Sequence, residues 1–323
     1  MMGKDEALKS IGMSENPADV KRTIEEFNER GAAKIRSGAA RNSRTYRPKD
    51  KKARQEQYAK DKALREATLK NRIPFISPDI CDGFYLCQGL VLVGGVSGRG
   101  KSTLAANILS GFLRKEQNRG AVVITNEESS EAIYNRTACV MLKQNFLDFQ
   151  TNKLRESVRR DVETLALDLT GQVEVVDDEA WDMTRIEDVQ AVLEYAAEGS
   201  IGIVIIDYYQ TVCFSKERPE SESFRVLKEL GLYLKDYGRR VGVPVVTFAQ
   251  LSTGKDDKHE FKDRVENDKT IYNHAFQAIE IVPDFEALQT KFIIRKDRFG
   301  YKQGKVIETK FVDGRFEPLE EKL

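Results

Sequence analysis

From Gly95 to Ser102 the chain reads Gly-Val-Ser-Gly-Arg-Gly-Lys-Ser, which fits the spacing G-x-x-x-x-G-K-[ST] of a loop that cradles phosphate. Glycines permit the tight turn, and the backbone N–H groups from Val96 to Ser102 can then point inward at phosphate oxygens, aided by the positive end of the helix that follows. The expected nucleotide-binding residues are therefore Gly95, Val96, Ser97, Gly98, Arg99, Gly100, Lys101, Ser102 and Thr103. Lys101 supplies a cation to the β- and γ-phosphates and Ser102 a hydroxyl to a magnesium ion, which leaves Thr103 to packing or the α-phosphate.

Attack on a γ-phosphate needs positioned water, a metal and compensation of charge spread over oxygens, rather than a covalent nucleophile. Three further groups offer those parts. Glu127 follows the strand Ala121 to Thr125 and would orient or deprotonate water, with Glu128 as its rival; the plain alternative is an acidic helix start that favours the dipole. Asp207 ends the run Ile203-Val204-Ile205-Ile206 and would hold magnesium through water. Gln250 ends the run Val243 to Ala249 and would sense the γ-phosphate and couple it to the next loop, the alternative being ordinary hydrogen bonding.

The elements that must position these groups are legible as hydrophobic patterns. Leu90 to Val93 form a buried strand, and Leu104, Ile108 and Phe112 recur at helical spacing behind the loop. Helices are expected through Ile133 and Val140, over Leu154 to Leu169, after a Thr184-Arg185-Ile186-Glu187 capping box, and over Glu222 to Arg240; Val173 to Val176 is a further strand. Strands that are apolar throughout require a parallel sheet covered on both faces, and polar groups at their carboxyl ends collect where open α/β sheets bind ligands. Ala278 to Val282, Lys291 to Arg295 and Lys305 to Val312 then read as strands parted by turns at Pro283, Gly300 and Gly314.

Of 323 residues, 40% are hydrophobic and 32% charged, enough for one large domain and an appendage. No apolar stretch reaches membrane-span length and no signal region follows Met1, so a soluble, cytoplasmic protein without a membrane partner is expected. Cys81, Cys87, Cys139 and Cys213 include no C-x-x-C pair, and His259 and His274 lie far from them, which argues for reduced, packed thiols rather than zinc. Net charge is zero, yet from Gly31 to Pro74 Lys and Arg outnumber Asp and Glu by 14 to 4. Residues 1–72 read as a basic arm with a short helix after Asn16-Pro17, a tether over 37–52, and a sparse helix from Ala53 to Lys70 bearing Tyr58, Leu64 and Leu69. Such an arm suits nucleic-acid contact or subunit docking, or is a solvated tail. Residues 73–323 form the ATPase domain.

At the same residues the chain resembles the RecA-like motor domain of the DnaB-family replicative helicases, over roughly residues 75–318. Gly95 to Ser102 matches the phosphate loop, Asn126 to Glu131 the catalytic-glutamate segment, Ile205 to Gln210 the magnesium strand and Val243 to Leu251 the glutamine sensor strand. Ile293 to Gly300 is similar to the family's K-x-R segment, which assigns Lys296 and Arg298 as fingers reaching the neighbouring subunit's site, and Gly314-Arg315-Phe316 resembles its closing turn. The resemblance implies a RecA-like P-loop core with a mostly parallel central sheet, a β-rich end and, in this chain, a basic helical N-terminal arm. It also implies ATP and Mg2+ as cofactors, a homo-oligomeric ring of hexamer type, single-stranded DNA as track with 5′-to-3′ polarity, and a primase or a loader as partner. Two departures stand out. Thr253 to Phe276 lacks the family's R-E-S-G signature and carries six carboxylates against five Lys and Arg, and the basic arm stands in place of the helical N-terminal domain common in bacterial relatives. A compact phage or plasmid type fits. The rivals are a RecA-like switch or assembly ATPase, such as a loader or clock-type protein, and a strand-exchange recombinase.

Overall fold

A computed structural model describes residues 72–319, apart from 78, 81–82, 117, 178–184, 213–218, 253–259, 267–268 and 299–301, together with 55, 56, 58, 59 and 62. The elements expected over 16–31 and 37–52 lie outside the described residues. Of the stretch 53–70, residues 55, 56, 58, 59 and 62 are helical.

A short antiparallel ribbon of β1 (Ile73–Pro74) and β2 (Tyr85–Leu86) precedes the core. The phosphate-loop strand β3 (Gly89–Gly95) runs into α1 (Lys101–Lys115). There follow β4 (Gly120–Thr125), α2 (Ser130–Met141), α3 (Phe146–Gln150), α4 (Glu156–Leu169) and β5 (Val173–Val176). Then come α5 (Ile186–Glu198), β6 (Ile201–Asp207), α6 (Glu220–Val241) and β7 (Pro244–Gln250). Two short helices, α7 (Phe261–Arg264) and α8 (Thr270–His274), lead to β8 (Gln277–Asp284), β9 (Gln289–Asp297), β10 (Val306–Val312) and β11 (Arg315–Pro318).

Nine strands form one sheet in the order β11-β10-β9-β8-β3-β7-β6-β4-β5. From β8 to β5 all neighbours are parallel, while β9, β10 and β11 add an antiparallel wing. Period-two alternation sends successive apolar side chains to opposite faces. Val91, Val93, Val123, Ile205 and Val246 pack with Leu104, Ile108 and Phe112 of α1. Leu90, Leu92, Ile124, Val204, Ile206 and Val245 pack with Leu193 of α5 and Leu230 and Leu234 of α6. Both faces are covered, as the unbroken apolar runs require.

Three expectations are corrected. Pro283 does not end β8; it pairs with Thr290 of β9 inside the strand. The ladder with β3 stops at Glu280, so Pro283 sits on an overhang paired on one side only, where a missing N–H is tolerated. Helix α5 is capped at Arg185, without a side-chain cap bond, and Thr184 lies outside the described residues. The polar stretch before β8 contains α7 and α8, where only a loop was expected. Gly300 lies outside the described residues, whereas the turn at Gly314 is present with φ 79°. Asn107 of α1 pins that turn, donating to the Gly314 carbonyl at 2.9 Å and accepting from the Phe316 amide at 3.2 Å. Cys87 and Cys139 are free and buried. No helix among the described residues is long and apolar enough to cross a membrane.

Candidate active site

The phosphate loop leaves β3 at Gly95 and closes at Gly98 and Gly100, with φ of 70° and 85°. Those values lie in the left-handed region that a side chain disfavours, which explains two of the glycines. Gly100 caps α1 and Lys101 opens it. The Lys101 side chain folds back over the loop, its Nζ donating to the carbonyls of Gly95 and Val96 at 3.3 Å each and standing 5.9 Å from the Tyr208 ring centroid. Burial pushes its pKa below the ordinary lysine value, against the pull of Asp207, Glu127 and Glu266. A desolvated cation held by carbonyls at a helix N-terminus suits exchange of those carbonyls for phosphate oxygens.

Strand register brings the other groups to the same edge. Gln250 is level with Gly95 across β3 and β7, and Asp207 with Thr125 across β6 and β4. Asp207 is 1% exposed, and neither carboxylate oxygen has a well-formed hydrogen-bond partner among the described residues. Burial raises its pKa from 3.8 to about 6, while the nearby Ser102 hydroxyl pulls it down and Glu127 and Glu128 push it further up. An unpaired buried carboxylate is costly, and a hydrated divalent cation between it and Ser102 removes that cost. The residues present therefore fit Mg2+, which Ser102 and Asp207 could hold.

The sign of the Asp207 shift gives a prediction. A carboxyl with a raised folded-state pKa favours the fold below 3.8 and loses that contribution as pH rises through about 6. Asp207→Asn is therefore expected to stabilise the metal-free protein at pH 7 to 8 by up to about 3 kcal/mol, with the gain vanishing below pH ~4. Thermal melting across pH in chelator tests this; a lower melting temperature at neutral pH would contradict the origin of the shift.

Glu127 and Glu128 part company in the structure. Both backbone amides donate to the Thr125 hydroxyl, at 3.2 and 3.4 Å, which fixes the turn after β4. The Glu128 carboxylate is engaged by Arg136, whose guanidinium lies 4.4 Å from the Phe146 ring centroid. Glu127 faces the site instead. Partial loss of hydration raises its pKa, opposed by Lys101, although the residue as a whole is exposed. Glu127→Gln is expected to keep nucleotide bound and slow turnover by roughly 10² or more, as loss of a positioned base does, whereas Glu128→Gln should do little. Single-turnover hydrolysis of both variants decides between them, and the reverse pattern would move the role to Glu128.

Gln250 is held by its backbone. Its N–H donates to Gln210 Oε1 at 3.2 Å, and its carbonyl accepts from Gln210 Nε2 at 3.2 Å and from the Glu266 amide at 3.0 Å. Residues 260–266 thus fold back onto the end of β7, with a Leu251–Val265 bridge beside them. Phe261 of this segment lies so close to β3 that a Cβ on Gly94 would come within 2.5 Å of its ring. Sequence reasoning missed Tyr208 and Glu266 at this site. Tyr208 was signalled by its place after Asp207, while Glu266 had no signal because the fold-back of its segment is a tertiary event.

Lys296 and Arg298 are placed elsewhere. Lys296 pairs with Ala278, which pairs with Leu92; the Arg298 amide bonds the Phe276 carbonyl, and the Phe276 amide bonds the Leu90 carbonyl. Arg298 is thus level with Leu90, five residues back from Gly95, or roughly 17 Å down the strand at ~3.3 Å per residue, and two strands across. Lys296 Nζ donates to the Tyr272 carbonyl at 2.5 Å and lies 4.6 Å from the centroid of that ring, and Arg298 Nη2 donates to the Asn273 carbonyl at 3.0 Å. Burial and the neighbouring Arg298 push the Lys296 pKa down to about 8.

Residues 79–267 match the DnaB-like helicase C-terminal domain family. In fold the chain is similar to a DnaB-like replicative helicase described with its interactions with primase, at 14% identity, with 93% of this chain and 75% of that one covered and a TM-score of 0.65. It is similar also to a separately solved ATPase domain, at 14% identity, 84% and 100% coverage and a TM-score of 0.66. A RadB recombinase shares the fold at 12% identity, 77% and 100% coverage and a TM-score of 0.51. No curated protein sequence gives a match. The fold is thus the RecA-like α/β ATPase fold, and because the family match spans more than half of the 323 residues, the chain belongs to the DnaB-like helicase C-terminal domain family.

Proposed function

We propose that this protein is the ATP-hydrolysing motor of a replicative DNA helicase, active as a homo-oligomeric ring, of hexamer type, that translocates 5′-to-3′ on single-stranded DNA. The observation that carries the reading is a division of labour. Lys101, Ser102, Asp207, Glu127 and Gln250 share one sheet edge, whereas Lys296 and Arg298 are too far down the sheet to serve it. Cations placed there are useful to a neighbour's nucleotide. In the site proper, backbone amides from Val96 to Ser102 and the Lys101 ammonium bind the β- and γ-phosphates, and Glu127 takes the proton of the attacking water. Gln250 senses the γ-phosphate and passes its presence to the segment 260–266 bonded to its carbonyl. Mg2+, when bound, neutralises charge on the phosphate oxygens. In this reading residues 73–323 are the motor, residues 1–72 a basic arm that docks a subunit or contacts DNA, a primase or loader the partner, and the bacterial cytoplasm the setting.

The test is ATPase rate with and without single-stranded DNA, together with displacement of a strand from a fork bearing a 5′ tail. Stimulation and displacement are expected. Hydrolysis indifferent to DNA would instead support a switch or assembly ATPase, a reading favoured by the six carboxylates against five Lys and Arg in residues 253–276.

A further inference from the structure

Glu280 is a carboxylate buried to 3% exposure in the middle of β8, level with Gly94 of the phosphate-loop strand. Its two oxygens are committed to different elements. Oε1 accepts from Arg264 Nη1 at 2.5 Å, and Oε2 accepts from Arg295 Nε at 2.7 Å and Nη2 at 2.6 Å. Arg264 ends α7, the segment tied to Gln250, and Arg295 immediately precedes Lys296 on β9. Register explains why they meet. Ile279 pairs with Ile294 but Ala278 with Lys296, so Arg295 is an extra, bulged residue of β9. A bulge breaks alternation, so Arg295 and Lys296 project from the same face, the one covered by α7 and α8. Lys296 and Arg298 then reach the carbonyls of Tyr272 and Asn273 in α8, whose Tyr272 ring lies 5.8 Å from that of Phe261 in α7.

Glu280 is buried but Arg264 is partly and Arg295 largely open to solvent, and an ion pair that costs a carboxylate its hydration is weak evidence for stability, so its presence calls for another reason. With the Glu280 charge removed, Arg264 and Arg295 lose the one group that ties them to each other, and the bulge is no longer held against α7. We propose that Glu280 is a positioning residue that, through Arg295 and Arg264, fixes the β9 bulge against α7 and α8 and so aims Lys296 and Arg298 at the neighbouring subunit's nucleotide. Because Arg264 belongs to the segment bonded to Gln250, the aim is set relative to the donor subunit's own sensor strand. This rests on the reading of Lys296 and Arg298 as cations acting in trans.

The experiment is subunit mixing in the full-length protein, with nucleotide affinity, melting temperature and ring assembly measured alongside. Glu280→Gln keeps the shape of the side chain and removes its charge. Alone, it should bind ATP within about twofold of normal and lose between roughly 10- and 100-fold in turnover, the scale of a misplacement near 1 Å. Mixed with Lys101→Ala subunits, whose own sites are dead but whose Lys296 and Arg298 are held normally, it should regain activity, since its intact site now meets a well-aimed pair. A defect of general stability would not be cured that way. Arg298→Ala mixed with Lys101→Ala is the control for the trans reading itself. If the control recovers and Glu280→Gln does not, Glu280 does not act by aiming those cations. If the control also fails, the trans reading falls, and the proposal falls with it. Should Glu280→Gln fail to fold, Arg295→Lys, which keeps the charge and loses the two-pronged grip, goes through the same mixing with the same expected recovery.

Discussion

Lys101→Ala takes ATP turnover to background, a loss of roughly 10³ or more, and weakens nucleotide binding without weakening the fold. Among the described residues, Lys101 is the one lysine or arginine whose side chain is placed on the carbonyls of the phosphate loop, and the transferred γ-phosphoryl group develops charge that backbone amides alone do not meet. The fold should be unharmed because burial lowers the Lys101 pKa, so the folded state pays to keep it charged. Removing such a cation leaves alanine in a helix start and takes away one desolvated charge, while the buried Asp207 loses only the smallest of the influences on its pKa. Initial-rate ATPase assays and thermal melting check both halves. Turnover near normal would remove the phosphate loop from the chemistry, and a collapse in melting temperature would mean that Lys101 is structural.

Arg298→Ala has the second largest effect, and it is expected in an unusual form. The variant should assemble and bind ATP nearly as well as the parent yet hydrolyse about 10³-fold more slowly, because an arginine supplied from outside a phosphate site meets charge that the host subunit leaves bare. Its side chain lies on the Asn273 carbonyl and 5.6 Å from the Phe276 ring centroid, so truncation removes only a partly exposed contact of its own subunit. In mixtures with Lys101→Ala, interfaces with an intact loop on one side and an intact arginine on the other reappear. ATPase rate against mixing ratio should therefore rise from near zero at both ends to a maximum between them. No maximum at any ratio, with mixed rings confirmed by mass, would mean that Arg298 works within its own subunit or not at all.

The parts of this molecule that could be read from the sequence are those whose signal is carried by consecutive residues. Ile203 to Asp207 and Val243 to Gln250 announce parallel strands because burial on both faces leaves, Thr247 apart, no polar position until the strand ends, and the ends are where the polar site groups sit. The sequence put Glu127 ahead of Glu128, and the structure adds a physical ground for that order, since Arg136, eight residues on from Glu128, engages its carboxylate. Pro283 misled because proline ends a strand only where its N–H is wanted, and the overhang of β8 past β3 is invisible in sequence. The Glu280 triad was hidden for the same kind of reason. Its partners lie 15 and 16 residues away on opposite sides in sequence, and one is brought round by a bulge that no local pattern marks. Lys296 and Arg298 became meaningful through resemblance, and their distance from the loop came from strand register alone.

The strand order also dictates when this enzyme can exist. The phosphate-loop strand β3 takes its two neighbours from far downstream, Pro244 opposite Gly89 and Gln277 opposite Val91, more than 150 residues later in each case. At ribosomal speeds of about 5–20 residues per second, the run Leu90 to Val93 waits on the order of ten seconds or more with both edges open. Closing loops of that length is slow, and an unpaired apolar strand is a template for aggregation. The nascent chain thus passes through synthesis with a nucleotide loop that has no sheet to hold it, and ATP can stabilise only the finished product. A strand-order fact becomes a biosynthetic one: the central strand of this domain waits for neighbours made late in the chain, and its vulnerable period is its own translation.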